Sequence, residues 1–425
     1  MIARNPAIRT AYQRALSVKA DAHFNVPPAR FTQPEKPSLV RAAPRPSSSR
    51  IDMKAVRDAP VLSDSDTSKT RSLSSSHWSE AANKSQPEGS KIGVILASHG
   101  DINSLDEVPC YAKTAVRKNR AIPIPNRLRG ITADLGWPLL KEEIDEEYRR
   151  IGIRTDYRQN SQTQAMALKE ALRSQGVSAE VRYGFNFTKP FIAEAMDEFA
   201  AKGIEKVVVI NQGAQFSLAT SQENFNDVMS YLDNHSNYRP DVVGIRQFSS
   251  NPAFRELLAQ RIRQDIAKKF PGAKPQDVAV FMGSHGLPRD LLKKGDPATM
   301  QMQEALADIR KRLPEYKIYH GYLNDDFFPG NPWTKPAARD RAHEVAAGHY
   351  KYILLDGRLS FTVNHRATLY DLNYEARAII AKESPESHVV FAENFDDDPE
   401  LAHLLARSIV EATQGRGDTD ILYKR

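Results

Sequence analysis

Between residues 91 and 415 the apolar residues fall into short unbroken runs separated by segments of helical period. The runs are Ile92-Gly93-Val94-Ile95-Leu96-Ala97, Lys206-Val207-Val208-Val209-Ile210-Asn211, Asp277-Val278-Ala279-Val280-Phe281-Met282 and Tyr352-Ile353-Leu354-Leu355-Asp356. Runs this short, without polar alternation, predict strands covered on both faces, as in parallel sheets. Between and around them, Gln162 to Gln175, Pro190 to Ala201, Phe254 to Phe270, Thr299 to Leu313 and Ala337 to Gly348 carry apolar residues at helical spacing. Strands alternating with helices of this length predict an α/β protein of βαβ units and mostly parallel sheet.

Two of the runs end alike, one at Ser98-His99-Gly100 and the other at Ser284-His285-Gly286. This weak internal repeat predicts two related halves, 91–245 and 246–415, followed by a flexible terminus over 416–425. Ligands of open α/β sheets bind outside the carboxyl ends of the strands, so both histidines are expected to face one cleft between the halves. A histidine held there exchanges protons near neutral pH or ligates a metal through a neutral nitrogen. The alternative reading is a pair of unrelated strand ends.

Residues 1–90 show no sustained period and are rich in Pro (Pro27, Pro28, Pro34, Pro37, Pro44, Pro46) and Ser (Ser47 to Ser49, Ser72, Ser74 to Ser76). Such a segment buries too little apolar surface to offset its chain entropy and is expected to be disordered. Its first 20 residues hold Arg4, Arg9, Arg14 and Lys19 without an acid, a pattern suited to an amphipathic import segment, a basic arm or a secretion leader. Charge separates the tail from the body. Residues 1–90 carry 14 Lys/Arg against 8 Asp/Glu, while the remainder carries 45 of each, so the net +6 belongs to the tail. A neutral body argues against nucleic-acid binding. The single cysteine, Cys110, excludes an internal disulfide and an iron–sulfur cluster bound by this chain. With no apolar run long enough to cross a bilayer, a soluble cytoplasmic protein is expected, with import or secretion through the tail as the alternative.

The segment Ser284-His285-Gly286-Leu287-Pro288, followed by Gly295-Asp296-Pro297, resembles the signature of the ferrochelatase family. The likeness continues collinearly over about 92–415. It includes Pro123-Ile124-Pro125-Asn126-Arg127-Leu128, Tyr148-Arg149-Arg150-Ile151-Gly152 and Phe191 to Val209. It runs on through Gln215-Phe216-Ser217 with Thr220-Ser221, Pro332-Trp333, and Phe361-Thr362-Val363-Asn364-His365 with Thr368-Leu369-Tyr370-Asp371-Leu372. The resemblance implies two Rossmann-like halves with parallel sheets flanked by helices, a porphyrin cleft between them, and insertion of Fe²⁺ as substrate metal. It implies His285 as proton acceptor or metal ligand, with Asp371 and Glu375 continuing an acidic ladder along a helix. It also implies porphyrin contacts from His99, Ser217, Thr220, Pro332, Trp333 and Tyr370. No nucleotide is implied, and neither a Gly-x-Gly-x-x-Gly nor a phosphate-binding glycine loop is present. A monomer or homodimer is expected. An apolar lip from Ile122-Pro123-Ile124-Pro125 and Leu135-Gly136-Trp137-Pro138-Leu139-Leu140 would touch a membrane peripherally at most.

The chain also departs from the family pattern. The innermost position of the acidic ladder, a glutamate in the family, is Ala367, which neither binds a proton nor a metal. Asp325 and Asp326 are candidate substitutes. His99 stands where the family has Tyr, Met or Gly, and would form an altered metal site with His285. Ile153-Arg154-Thr155-Asp156, Ala298 and Tyr322-Leu323-Asn324 replace the family's Gly-Gly-Ser-Pro, Tyr and Trp-Gln-Ser. The readings left open are a ferrochelatase, a chelatase for another metal or tetrapyrrole, and a non-catalytic haem- or porphyrin-binding homologue.

Overall fold

The computed structural model describes residues 91–424 apart from 120–123, 125, 154 and 325–331. The basic tail, Arg154, Asp325 and Asp326, and most of the first apolar lip segment therefore lie outside the described residues.

Nine strands form two sheets: β1 (Ile92–Ser98), β2 (Ala179–Phe185), β3 (Lys206–Asn211), β4 (Asp241–Ile245), β5 (Val278–His285), β6 (Lys317–Leu323), β7 (Tyr352–Asp356), β8 (His388–Phe391) and β9 (Thr419–Tyr423). The first sheet runs β2-β1-β3-β4-β9 and the second β6-β5-β7-β8. All pairings are parallel except β4 with β9. The four apolar runs of the sequence are β1, β3, β5 and β7, each of them with a strand on both sides. The α/β class with two helix-flanked sheets is thus as expected.

In each sheet the chain leaves a central strand, pairs its successor on one side, then crosses to the other. That makes the carboxyl ends of β1 and β5 topological switch points, where loops splay apart and leave a crevice. His99 follows the last residue of β1, and His285 is the last residue of β5.

One expectation fails at the terminus. Residues 419–423 are not a flexible end but β9, an antiparallel edge strand on β4. Arg246 pairs with Asp420 at 3.1 Å and with Asp418 at 3.6 Å, fixing the strand by charge as well as by its backbone ladder. The last stretch of the chain thereby completes the first sheet.

The halves share one core. Val208 and Val243 of the first sheet, Val280 and Leu354 of the second, and Leu258, Leu306 and Leu405 from helices belong to a single buried cluster. Burying a side chain of this size contributes about 1.5–3 kcal/mol. The helix Pro252–Lys269 begins with Asn251 accepting the Ala253 N–H and with proline in the first turn. It is tied to the helix Pro399–Thr413 by Arg261 and Asp398 (2.5 Å).

Candidate active site

A cavity of about 170 Å³ opens where the two switch points meet. Ala97 to Asp101 line it from the first half. His285, Leu287, Asn324, Ser360, Phe361 and His365 to Ala367 line it from the second. Both strand-end histidines therefore face one space, as the repeat predicted. This volume is below the ~300–1,000 Å³ usual for ligand pockets.

The turn after β1 is held rigidly. Asn186 and Phe187 donate their N–H groups to the Ser98 and His99 carbonyls (3.0 and 3.1 Å), extending the ladder past the strand. Gly100 has φ +80°, and a Cβ there would lie 2.6 Å from Thr188 and 2.7 Å from Phe185. Only glycine fits. The His99 ring packs on Phe187 with centroids 4.4 Å apart. On the other side, the Gly286 N–H donates to the Leu323 carbonyl at 2.8 Å. A Cβ at Gly286 would approach that oxygen to 2.3 Å.

Three imidazoles meet at the cavity, and their protonation states differ. His285 Nδ1 lies 2.6 Å from the Gly286 carbonyl. A carbonyl only accepts, so Nδ1 carries the proton and the neutral ring presents an Nε2 lone pair. That lone pair faces the Asn324 amide nitrogen, which donates to it over a long 3.5 Å. His365 is the reverse: its Nδ1 accepts the Ala367 N–H at 3.0 Å. The neutral ring thus keeps its proton on Nε2, which has no partner. His99 Nε2 is also buried without a partner. Burial drives all three pKa values below the ordinary range, His99 to about 3 with help from His285, and His365 well below with help from His285, Arg366 and His99. Neutral imidazoles are the form that binds metal or takes protons.

Behind the histidines lies a charge network that spans the halves. Arg366 donates from Nη1 to Glu147 (2.6 Å) and from Nη2 to Asn324 Oδ1 (2.9 Å), with Asp371 at 4.0 Å. Its backbone N–H donates to Asp101 Oδ2 at 2.8 Å. Asp101 Oδ1 accepts the Ile102 N–H at 2.8 Å and the Tyr148 hydroxyl. Asn324 has φ 58°, tolerated by asparagine, and donates its N–H to Asp371 Oδ2 at 2.8 Å. Burial lowers the Arg366 pKa, but Glu147 and Asp371 outweigh it and hold the guanidinium above its usual value.

The sequence candidates separate on this map. His99, His285, Ser217 and Thr220 line the cavity, and so does Ala367. Ser217 donates to Asp296 Oδ2 at 2.7 Å, and the same carboxylate accepts the Leu218 and Ala298 N–H groups. The Gly295-Asp296-Pro297 turn is thereby a clasp between the halves. Pro332, Trp333, Tyr370, Asp371 and Glu375 are not among the cavity-lining residues. Trp333 is buried and bridges Pro288, steadying the chain just after His285. Tyr370 stacks on Tyr374 at 5.5 Å. Asp371 and Glu375 lie on a π-helix, Thr368–Ala376, one turn beyond the wall. Such π segments widen a helix and recur at functional sites. Among the described residues no group of three or more His, Cys, Asp or Glu is placed to hold a metal ion. Nor is any helix long and apolar enough to cross a membrane. His365, Arg366, Asp101, Glu147 and Tyr148 were not singled out from the sequence.

Asp371 yields a measurable consequence. Burial raises its pKa from 3.8 to about 6, against the opposing pull of Arg366. Between those values the folded state holds a proton the unfolded chain has lost, so stability falls as pH rises through the window, by roughly 2–3 kcal/mol at most. Asp371→Asn is expected to flatten this part of the profile and be the more stable form at pH 7. Urea unfolding midpoints at pH 4 and pH 7 measure it, and equal slopes for both proteins contradict the assignment.

Fold and site together define a class: a two-lobed α/β protein with a ligand cavity at the switch points of both sheets and bare imidazole nitrogens inside it. The chain belongs to the ferrochelatase family, whose model matches residues 91–413. It is 24% identical over 323 residues to the mitochondrial ferrochelatase of Gallus gallus, covering 74% of this chain and 78% of that one. It is 26% identical over 330 residues to the ferrochelatase of Gloeothece citriformis, covering 76% and 83%. Among solved structures, DR2241 of Deinococcus radiodurans matches at a TM-score of 0.45 and 12% identity, covering 78% of this chain and 57% of that one. At that level the likeness adds nothing to the family match. Membership supports a general role in metal insertion by a tetrapyrrole chelatase.

Proposed function

We propose that the protein inserts Fe²⁺ into a porphyrin, protoporphyrin or coproporphyrin, to give haem. The observation that carries this reading is the pair of strand-end histidines, His99 and His285, brought from opposite halves to one cavity. In the reaction two pyrrole N–H bonds break, the metal ion becomes bound to all four ring nitrogens, and two protons leave. His285 Nε2, held only by a long contact from the Asn324 amide, takes a proton or a metal ion. His99 Nε2 contacts the metal from the other half. His365 Nε2–H donates toward the macrocycle, and Ser217 and Thr220 contact its edge. Asp371, whose pKa burial raises to about 6, and Glu375 behind it pass protons outward. In this reading Ala367 replaces the family's glutamate and shifts the burden onto these groups.

A second reading, a non-catalytic haem or porphyrin binder, is favoured by Ala367 and by two buried imidazole nitrogens without partners. A chelatase for another divalent metal is the third, since imidazole ligands suit cobalt, nickel and zinc as well as iron. Anaerobic incubation of the full chain with a porphyrin and Fe²⁺, Co²⁺ or Zn²⁺, followed by porphyrin absorbance, separates them. Turnover with Fe²⁺ supports the first reading. Turnover only with another metal supports the third. No turnover, with tight haem binding lost in His99→Ala, replaces both with the binder.

A further inference from the structure

We propose that Asn324 is a positioning residue for the metal step. Its side-chain amide turns a donor rather than a ligand toward His285 Nε2, so a divalent ion there is held loosely and passed on. The inference rests on the metal-insertion reading. Asn324 follows β6 and lines the cavity, and its neighbour Leu323 is paired in register with His285. The sheet itself thus delivers residue 324 to the histidine.

An asparagine amide has one end that ligates cations, the carbonyl oxygen, and one end that only donates. Arg366 decides which end faces His285. Its Nη2 lies 2.9 Å from the Asn324 side chain, and a guanidinium only donates, so the atom it meets is Oδ1. Arg366 is itself fixed from the first half, by Glu147 at 2.6 Å and through its own N–H by Asp101 at 2.8 Å. The Asn324 backbone is pinned as well. Its N–H donates to Asp371 Oδ2 at 2.8 Å, and its φ of 58° is one that asparagine tolerates. With backbone and carbonyl both held, the NH2 group is left toward His285 Nε2, 3.5 Å away.

That nitrogen carries a lone pair because Nδ1 donates to the Gly286 carbonyl. The amide contact is at the long limit of a hydrogen bond, so it caps the lone pair without closing it to an ion. An ion on Nε2 gains no oxygen from residue 324 and meets its amide hydrogens instead. Among the described residues no group of three His, Cys, Asp or Glu is placed to hold the ion more firmly. Few ligands and a neighbouring donor keep its affinity low before the reaction. A substrate bound tightly only in the ground state is slowed rather than helped, so the loose hold favours transfer to the four ring nitrogens. Arg366, through Oδ1, is what keeps the amide from turning its oxygen inward.

The test uses the full chain at pH 8. One readout is Co²⁺ absorption without porphyrin, and the other is insertion of Co²⁺, Zn²⁺ or Fe²⁺ into a porphyrin. Asn324→Asp keeps the shape and an oxygen for Arg366 but turns a second oxygen toward Nε2. It is expected to bind Co²⁺ about tenfold more tightly, since ligand charge sets affinity in such sites, and to lose that gain when His285→Ala is added. In turnover it should lower kcat and KM for the metal by about the same factor, with KM for porphyrin unchanged. Asn324→Gly covers the case in which Asn324→Asp does not fold, because glycine adopts the positive φ and removes the donor without adding a ligand. Its Co²⁺ affinity should rise, and its metal KM fall, by roughly two- to tenfold, the worth of one hydrogen bond. Unchanged Co²⁺ affinity in a folded Asn324→Asp or Asn324→Gly, or a gain that survives His285→Ala, overturns the proposal. Absence of wild-type turnover with every metal overturns the metal-insertion reading itself, and the Co²⁺ titrations still decide whether Asn324 limits the hold of His285 on an ion.

Discussion

His285→Ala is expected to abolish metal insertion, lowering kcat by about 10²–10⁴-fold while porphyrin binding and the unfolding midpoint change little. The size follows from the loss of one positioned proton acceptor. The selectivity follows from how the ring is held. Its Nδ1 is committed to the Gly286 carbonyl, so only Nε2 reaches the cavity, and no core packing depends on that atom. The strand beneath is anchored independently, through the ladders of β5 with β6 and β7 and through Ser284, whose hydroxyl lies 2.6 Å from His320 Nε2. His285→Gln tests the chemistry more finely. It keeps a polar group of similar reach but cannot take a proton near neutral pH, so it should be nearly as slow as alanine. Stopped-time absorbance assays with circular dichroism decide the matter. A variant that keeps a tenth or more of the rate would exclude His285 as the acceptor.

The strands legible in the sequence and those missed differ in where they lie. β1, β3, β5 and β7 are central and buried on both faces, which demands continuous apolar runs. β2, β6, β8 and β9 are edges, free to carry Glu180 and Arg182, Lys317, His388 or Asp420, and so lack that signature. β4 is central but short, and Gly244 interrupts it because a Cβ there would lie 2.6 Å from the Phe225 ring. The catalytic candidates divide similarly. His99 and His285 were visible because each follows or ends a central strand in the same tripeptide. Arg366 and Asp101 were not, because their meaning lies in a hydrogen bond spanning 265 residues. An aspartate after a glycine reads as an ordinary turn residue until the fold brings its carboxylate to the backbone N–H of Arg366. Tyr370 and Trp333 are not among the residues that line the cavity. Tyr370 follows the lining residue Ala367 by three positions and stacks on Tyr374, while Trp333 bridges Pro288 beside the lining residue Leu287.

Arg366 carries the largest expected effect on stability. Its guanidinium is the cation between Glu147, 7% exposed, and Asp371, 16% exposed. Arg366→Met keeps much of the aliphatic volume but leaves two buried carboxylates facing Asn324 without a counter-charge. Breaking one side of a buried pair typically costs about 3–5 kcal/mol, and that range is expected in urea unfolding at pH 8. The loss should shrink at pH 5. Arg366 is what opposes the upward shift of Asp371. Without it Asp371 holds its proton to higher pH in the folded state, so the variant loses stability as pH rises through that value. Adding Glu147→Gln should restore a large part of the loss, because the two residues form one interaction and their effects are not additive. Equal losses at both pH values, or no recovery in the double variant, would show that Arg366 acts by packing alone. In that case the charge network does not join the two halves, and Asp101 is held by Tyr148 and its own turn.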